Sequence, residues 1–569
     1  MRPIVIIVVL FLCVIAFPVT YAKEVLTIEI SGIEGDALSN VQTRLDIEQA
    51  SYEGELSLAD IKNFYHDAPE HIKKALEPYG YFKPEIDATL TEDHSLWHAR
   101  FNIKTGPAVH ISTILISVTG PGKNNPEIEA FIKKFPLAAH QRLIIDHYEK
   151  AKEAFFEVVN NQGYLKAKLD KKEILINTQN HTAQIILEMN TGTQYYFGSI
   201  HYSQSPYASS FLKRFNTIQE GQPFSSLKLL QYQQELSGSR YFKNVSVTPE
   251  FDQTSQHIPT KVDITLPKSQ QYNIGAGYGT FTGPRLTLGM DMRRISDAGQ
   301  HFTAQMKLSS VLSGLSAKYY IPGANPLTDQ YTIGLNIQRF LPKNGESLSE
   351  AISAAYVKQK GLWRHTLSLN ALNDLYKQDD EKLRNSHLLY PSYNISRISA
   401  DNIINPRFGS SFNFTIQSGS ANVLSTTSFF QAELKGKYIM SPTTNSRVIL
   451  RSDLGYTVVN DLNQLPLTLN FFAGGLNSIR GFPYDSIGPG RYLRVGSVEL
   501  QHKIVGDLSG AAFSDVGNAS DHFNDGLNRG DGFGLIYTSV IGPIKLYVGR
   551  AESKKGKPMS VEFSIGPEF

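Results

Sequence analysis

Two short runs of the sequence carry charged residues at positions where recognition could occur. The first, Gly474–Phe482, reads Gly-Gly-Leu-Asn-Ser-Ile-Arg-Gly-Phe, and the second, Phe513–Gly517, reads Phe-Ser-Asp-Val-Gly. The first run lies between two strand-like stretches, so it should be a long loop, where functional residues concentrate. Arg480 can enter a confined space only if a carboxylate meets it, because an unpaired buried charge costs roughly several kcal/mol. We expect Asp515 to be that carboxylate; the alternative is a glycine-rich hairpin with an exposed arginine.

The sequence shows none of the patterns expected of common enzyme sites. It has no Gly-x-Ser-x-Gly elbow, no His-Glu-x-x-His pair, no Gly-x4-Gly-Lys-[Ser/Thr] phosphate loop and no cysteine cluster. The fifteen histidines are scattered, and pairs such as His66 and His71 are better interpreted as solvated helix residues than as metal ligands. We therefore expect no enzyme activity, no cofactor and no metal site.

The composition limits the kind of partner and favours a protein made of strands. The 55 basic and 53 acidic residues nearly balance, so no nucleic-acid partner is expected. Tyr (28), Phe (31) and Gly (44) are abundant while Trp (2) is rare, which suits many strands with tight turns and aromatic girdles. The only cysteine is Cys13, so no disulfide can form within the chain.

The N-terminal residues resemble a secretory signal. The apolar run Ile4–Val19 follows Arg2 and is followed by Thr20-Tyr21-Ala22, a small-x-small ending that signal peptidases recognise. We expect residues 1–22 to be a cleaved signal peptide. A retained membrane anchor is the alternative, although the run is shorter than the ~20 residues that span a bilayer. Later in the chain no apolar stretch approaches ~18 residues, so a membrane-spanning form would have to be a closed barrel.

A weak internal repeat precedes the C-terminal half of the chain. Three similar runs contain Tyr81, Tyr164 and Tyr241, spaced by 83 and 77 residues. Each unit shows a strand, helical periodicity, the aromatic turn and two further strands, which predicts an α+β unit of order β-α-α-β-β. The predicted units are residues 23–108, 109–198 and 199–268. An unrelated α+β region remains the alternative.

From Gln271 onward, helical periodicity gives way to segments of about ten residues that alternate apolar and polar side chains. This pattern is typical of a transmembrane antiparallel β-barrel, with polar residues lining the lumen and apolar residues facing lipid. Residues 269–569 should form this barrel. About 300 residues at ~19 per strand and connection give about sixteen strands, although fourteen is not excluded.

The two ends of the predicted barrel contain residues that weaken strand pairing. The first strand carries Gly275, Gly277 and Gly279, and glycine lets a strand bend. The last strand includes Phe563, Ile565, Gly566, Pro567 and Phe569, and proline cannot donate to a ladder. We expect the barrel to close between these two irregular strands.

Taken together, these motifs resemble a known family, the outer-membrane assembly barrels with periplasmic POTRA repeats. In that family the sixth extracellular loop folds into the barrel through a tip of the form [Val/Ile]-Arg-Gly-[Phe/Tyr], matched here by Ile479, Arg480, Gly481 and Phe482. The tip arginine pairs with the aspartate of a Phe-x-Asp-x-Gly strand motif, matched by Phe513, Asp515 and Gly517. The resemblance also implies a lateral seam between first and last strands, and a structural turn at residues 401–409.

The number of repeats refines the resemblance. Three POTRA-like repeats, instead of the five of the general barrel-assembly (BamA) group or the two of two-partner secretion pores, are similar to TamA, the outer-membrane subunit of translocation and assembly modules. This implies an insertase for autotransporters and other barrel proteins in a Gram-negative outer membrane, in contact with outer-membrane lipid and with a TamB-like inner-membrane-anchored partner. The alternatives are a BamA-like insertase, a pore that exports a soluble adhesin, and a passive porin or adhesin barrel.

Overall fold

The computed structural model describes residues 25–52, 56–94, 96–203, 205–252, 254–279, 283–343, 345–378, 382–539 and 542–565. The predicted signal peptide and Gly566, Pro567 and Phe569 lie outside these ranges. The chain divides into two compact units. The first comprises the described residues up to Ile200 with Ile218–Leu230 and Pro249–Thr260, and the second comprises His201–Thr217, Gln231–Thr248 and the described residues from Lys261 onward.

The N-terminal part of the chain contains three small three-stranded sheets, each with helices. The strands are β1 Val25–Ser31, β2 Glu85–Asp93, β3 Leu96–Lys104, β4 His110–Thr119, β5 Lys168–Asn177, β6 Thr182–Asn190, β7 Tyr196–Tyr202, β8 Asn244–Pro249 and β9 His257–Thr265. The helices are α1 Gly35–Ala50, α2 Leu58–Leu76, α3 Pro126–Lys133, α4 Ile145–Asn161, α5 Ser209–Leu212 and α6 Ser226–Ser237. The sheet orders are β1-β3-β2, β4-β6-β5 and β7-β9-β8, which confirms the predicted β-α-α-β-β order. Among the described residues, none of these helices is long and apolar enough to span a bilayer.

Helix α2 illustrates how the sequence determines each small core. Ser57 caps its first turn by accepting from the Asp60 amide, and the Asp60 carboxylate accepts from the Ser57 amide in return. Ile61, Phe64 and Ile72 follow at helical spacing and are fully buried against the sheet. The apolar periodicity thus correctly predicted the buried face of this helix.

The repeated aromatic turn has a backbone cause in two of its three copies. Gly80 and Gly163 adopt left-handed conformations with φ of 83° and 87°, which favour glycine. A Cβ atom at Gly163 would also lie 2.2 Å from the Tyr195 carbonyl oxygen. In the third copy Arg240 replaces glycine without a positive φ, and its guanidinium lies over the Tyr320 ring, 5.6 Å from the ring centroid.

Sixteen strands form one antiparallel sheet, as predicted. They are β10 Gln270–Gly279, β11 Gly283–Met292, β12 His301–Leu308, β13 Leu312–Pro322, β14 Asp329–Phe340, β15 Gly345–Lys360, β16 Trp363–Gln378, β17 Arg384–Ala400, β18 Gly409–Gly419, β19 Phe429–Met440, β20 Ser446–Val459, β23 Tyr492–Val505, β24 Leu508–Ser520, β25 Asn528–Ser539, β26 Gly542–Ala551 and β27 Met559–Ile565. Strands β21 Phe471–Ala473 and β22 Ile487–Gly490 pair separately within the loop between β20 and β23. Each barrel strand pairs with its sequence neighbours, and within the described residues no ladder joins β10 to β27.

Alternation along the strands separates an apolar exterior from a polar interior. On β19, Phe430 and Tyr438 are exposed on one face, whereas Gln431 lies on the other face and is buried inside the barrel. Ile352 and Leu369 on β15 and β16 are likewise exposed. An exposed apolar face and a polar inner face are what a lipid-facing barrel requires. The structure therefore has the architecture of a nearly closed barrel.

Candidate functional site

The loop between β20 and β23, residues 460–491, runs along the inside of the barrel. Its first half packs Leu462 and Leu465 into an apolar cluster with Phe429 on β19. The Thr468 hydroxyl donates to Asp374 Oδ2 of β16 at 2.8 Å, and Asp374 is fully buried. These contacts hold the first half of the loop against β16 and β19.

The predicted tip of this loop, Gly474–Phe482, is a compact turn anchored by apolar side chains. The Gly475 amide donates to the carbonyl oxygens of Ile479 and Phe482 at 3.1 and 2.9 Å. Ile479 and Phe482 are buried in a cluster with Phe471 and with residues of β23, β24 and β26. The apolar residues Ile479 and Phe482 therefore help to hold the backbone of Arg480 in place.

Arg480 is 1% exposed and meets the fully buried Asp515 of β24. Its Nε donates to Asp515 Oδ2 at 2.7 Å and its Nη2 donates to Asp515 Oδ1 at 2.8 Å. The Arg480 backbone amide also donates to Oδ2, at 2.9 Å. This two-pronged geometry uses the planar guanidinium in a way that an ammonium cannot reproduce. The structure thus brings together the two charged residues singled out in the sequence.

A second carboxylate completes the pairing. Arg480 Nη1 donates to Glu499 of β23, and Tyr547 of β26 donates from its hydroxyl to Glu499 Oε1 at 2.7 Å. The Ser497 hydroxyl of β23 donates to Asp515 Oδ1 at 2.6 Å. We call Arg480, Asp515, Glu499, Ser497 and Tyr547 the Arg480 network. Because it is buried, each polar group needs these partners to offset the loss of hydration.

A second arginine lies beside the network. Arg451 of β20 donates from Nη1 to the Leu476 carbonyl oxygen at 3.0 Å and from Nη2 to the Ser497 hydroxyl at 3.0 Å. Its Nη2 is 3.7 Å from Asp515 Oδ1. Asp515 therefore faces two cations, of which Arg480 makes the direct contacts.

The aromatic residue of the Phe513–Gly517 motif contacts the same guanidinium. Arg480 Cζ lies 3.6 Å from the centroid of the Phe513 ring and 4.8 Å from that of Tyr547. The two rings are nearly perpendicular, with centroids 5.5 Å apart. They exclude water and add a cation–π attraction, which strengthens when the cation is desolvated.

Glycines in the strands let the loop tip approach the barrel wall. A Cβ atom at Gly530 would lie 1.9 Å from the Arg480 carbonyl oxygen, and one at Gly549 would lie 2.8 Å from the Gly481 amide nitrogen. Gly481 has a φ of 92°, which favours glycine. At Gly517 a Cβ would lie 2.3 Å from the Arg494 carbonyl oxygen of the neighbouring strand. Each glycine of the predicted motifs thus has a steric reason.

The last barrel strand also contacts the tip. The Gly481 amide donates to Glu562 Oε1 of β27 at 2.9 Å. Glu562 is 3% exposed, and within the described part of the chain its Oε2 has no hydrogen-bond partner. The tip therefore contacts all five of the last barrel strands, from β23 to β27.

The residues predicted for the seam are not members of the Arg480 network and lie on the two end strands of the barrel. Gly275, Gly277 and Gly279 are on β10, and Phe563 and Ile565 are on β27. Ala276 and Gly277 line one cavity together with Phe563 and Ile565, so the two end strands are neighbours. Inside the described ranges, no three His, Cys, Asp or Glu side chains are arranged to hold a metal ion.

Sequence reasoning did not identify several residues of this site. Ser497, Glu499, Tyr547, Glu562 and Arg451 all contact the network or the tip. The only feature of the sequence that marks these residues is their inward position on strands that alternate polar and apolar side chains. Since many polar residues do so in a barrel, alternation alone could not single them out.

Family models and solved structures of known proteins resemble this chain. The family model described as "Omp85 superfamily domain" matches residues 260–569, and the one described as "POTRA domain TamA domain 1" matches residues 27–105. The structure of BamA from Haemophilus ducreyi lacking POTRA domains 1–3 is similar, with a TM-score of 0.65, 17% identity, and coverage of 80% of this chain and 99% of that one. CdiB from Acinetobacter baumannii has a TM-score of 0.49 and 11% identity, covering 94% of this chain and 99% of that one.

One curated relative, the chloroplastic outer envelope protein 80 of Arabidopsis thaliana, is 33% identical over 108 residues. That match spans 17% of this chain and 14% of the relative's length. The superfamily match, by contrast, covers more than half of the chain and includes every barrel strand. The chain therefore belongs to the Omp85 superfamily, as an outer-membrane β-barrel with periplasmic POTRA domains.

Proposed function

We propose that this chain is the outer-membrane subunit of a translocation and assembly module that inserts autotransporters and other barrel proteins. The observation that carries the proposal is the match of residues 27–105 to the first TamA-type POTRA domain, on the same chain as the Omp85 barrel. The proposed domains are the signal peptide 1–22, POTRA repeats 23–108, 109–198 and 199–268, and the barrel 269–569.

The proposed insertion step uses the seam between β10 and β27. A strand edge with unpaired N–H and C=O groups can accept an extended segment by backbone pairing. The edges of β10 and β27 that face each other carry no mutual ladder among the described residues. An incoming client strand pairs there and then leaves sideways into the bilayer.

The Arg480 network has a defined role in this step. Through one loop tip it connects side chains of β23, β24, β26 and β27. When the seam opens, these strands must keep their register while β27 loses its neighbour. We assign the tip to maintaining that register, a positioning role with no catalytic step and no cofactor.

The periplasmic repeats are proposed to receive clients and a TamB-like partner. In each sheet the second strand, β2, β5 or β8, lies at an edge. Backbone pairing at such an edge tolerates many sequences, which suits varied clients. The inner loop occupies part of the lumen, which argues against a passive porin.

The test is to delete the gene and measure two products in the same cells: a surface-assembled autotransporter and a secreted soluble adhesin. We expect the autotransporter to be depleted and the adhesin unchanged, with rescue by the full chain and not by a form lacking residues 27–105. Selective loss of the adhesin would favour a two-partner secretion pore. Loss of all outer-membrane barrels together would favour a general BamA-like insertase.

A further inference from the structure

A cavity of about 540 Å³ lies at the seam between β10 and β27. Ala276 and Gly277 of β10 and Phe563–Ile565 of β27 line it from the two sides of the seam. Leu476 and Tyr484 of the loop 460–491 line it from within the barrel. The cavity therefore separates the unpaired strand edges from the inner loop.

Close packing does not explain Gly277, which lines this cavity, or Gly275, two residues before it on β10. Among the described residues, a Cβ atom at Gly277 would meet nothing within 4 Å, and one at Gly275 would meet only Thr287 Cβ at 3.8 Å. Neither glycine has a positive φ. At Gly530, by contrast, the same test gives 1.9 Å to a carbonyl oxygen. The absence of a side chain at these two glycines therefore leaves open space that neither the packing nor the backbone conformation requires.

Two cationic side chains line the cavity. Arg285 of β11 and Lys307 of β12 line it, and its described lining contains no aspartate or glutamate. Thr287 pairs with Lys307, so Arg285 lies diagonally across from Lys307, about 7–8 Å away along the ladder. Two long cationic side chains at that separation can reach one anionic group. The apolar residues at the cavity include Leu286, Leu308 and Ile565, which are exposed on the outer face of the barrel, together with Leu312, Leu476 and Phe563.

We propose that this cavity binds a phosphate-bearing lipid, with Arg285 and Lys307 on the phosphate and an acyl chain extending through the seam into the bilayer. Charge-assisted hydrogen bonds from arginine and lysine to phosphate are strong in a confined site. The apolar lining continues to the seam, so an acyl chain that runs through the seam stays in an apolar environment along its whole length. The site adjoins the Arg480 network, because Leu476 packs against the cluster that contains Phe513 and Tyr547, but it does not depend on which clients the protein assembles.

The position of the cavity favours a lipid over the C-terminal carboxylate of a client strand. Because the POTRA domains are periplasmic and β10 follows them in the chain, Gln270 marks the periplasmic end of β10 and Gly279 the outer end. A client strand antiparallel to β10 would place its C terminus near Gln270. Arg285 pairs with Gly277, close to the outer end, so the basic cluster suits an outer-leaflet headgroup.

The test uses the purified full-length chain in detergent and three probes: phosphatidic acid, diacylglycerol with the same acyl chains, and inorganic phosphate. Native mass spectrometry and a titration measure binding. We expect phosphatidic acid to bind at least about tenfold more tightly than either other probe, because only it supplies both phosphate and chain. Equal binding of diacylglycerol would overturn the phosphate contact. Equal binding of inorganic phosphate would reduce the cavity to an anion site and overturn the lipid assignment.

Two variants and two matched controls locate the binding. Lys307→Gln removes one cation, and Gly277→Leu fills the cavity without a backbone clash; each should weaken phosphatidic acid binding about tenfold. Lys318→Gln alters a lysine outside the lining, and Gly436→Leu adds the same side chain at another open glycine; neither should change binding. Unchanged binding in Lys307→Gln, or equal loss in the controls, contradicts the proposal. If Gly277→Leu fails to fold, as shown by gel mobility before and after heating, Lys307→Gln still decides the question.

Discussion

Replacing Arg480 by alanine removes the cation around which the inner loop is held. Asp515 and Glu499, both buried, would lose the guanidinium that contacts them. Asp515 would keep the Ser497 hydroxyl and the nearby Arg451, whose Nη2 is 3.7 Å away. Glu499 would keep the Tyr547 hydroxyl. We therefore expect the barrel to remain folded while the loop tip leaves the wall.

The size of the effect follows from burial. Removing one partner of a fully buried ion pair costs about 3–5 kcal/mol. Arg451 and the remaining hydroxyl donors reduce the loss, so the lower end, about 3 kcal/mol, is expected for docking of the tip. At about 1.4 kcal/mol per factor of ten, this corresponds to roughly a 100-fold larger opening constant.

Hydrogen exchange at the backbone amides of the loop tip measures this opening constant. The amides of Arg480 and Gly481 donate to Asp515 and Glu562 only when the tip is docked. A peptide covering 474–486 should therefore exchange about 100-fold faster in Arg480→Ala, while peptides from β15 and β16 stay protected. Arg480→Lys should recover part of the protection, since an ammonium cannot contact both Asp515 oxygens and Glu499 at once. Unchanged exchange in Arg480→Ala would refute the reasoning.

A charge reversal distinguishes the network from an isolated pair. If Arg480 and Asp515 formed a simple pair, exchanging Arg480→Asp with Asp515→Arg would restore protection. In the structure the new aspartate would face Glu499 and the new arginine would face Arg451, so like charges would meet. We expect the reversal to stay unprotected, whereas Arg480→Ala with Asp515→Asn should show non-additive coupling. Rescue by the reversal, or strict additivity, would contradict the network.

Three further predictions concern other contacts. Gly530→Ala should release the tip much as Arg480→Ala does, because its Cβ would lie 1.9 Å from the Arg480 carbonyl oxygen. Thr468→Val removes a hydrogen bond to buried Asp374 and should raise exchange about tenfold in the first half of the loop only. A photo-cross-linker at Leu175, an exposed residue on edge strand β5, should trap clients or the partner.

Matched controls accompany these three predictions. Gly436→Ala adds a methyl group at a glycine with open space around it, so the loop tip should stay docked. If the tip were released in Gly436→Ala as well, a steric clash could not explain its release in Gly530→Ala. Faster exchange at Arg480 in Thr468→Val would show that the two halves of the loop are not held independently. Trapping from Lys150 on helix α4 but not from Leu175 would contradict strand addition.

The sequence predicted the barrel and the central contact for identifiable physical reasons. Alternation with a period of two is a local property of a strand, so the strands and their inner and outer faces follow from it. An arginine between apolar and glycine residues requires a carboxylate, and the Phe513–Gly517 motif supplied one through resemblance. The aromatic and glycine residues of both motifs proved to have steric and cation–π roles.

The rest of the site depends on contacts that no local pattern encodes. Glu499, Tyr547 and Glu562 lie on three different strands and meet only through the register of the sheet. Sequence reasoning also interpreted the glycines of β10 as positions that weaken a strand. The structure adds that Gly277 lines a cavity, which follows from the neighbouring strands and loop and not from β10 itself.

The most direct measurement of the central claim is insertion of an unfolded autotransporter barrel domain into liposomes that contain this protein. Gly277→Cys and Ser564→Cys place thiols on opposite sides of the seam, and the only other cysteine is Cys13. A thiol-cleavable cross-linker then closes the seam reversibly, with each single cysteine variant as a control. We predict that the client folds faster than in empty liposomes, that cross-linking abolishes this acceleration, and that cleavage of the cross-link restores it. Equal acceleration by the cross-linked protein would contradict assembly through the seam.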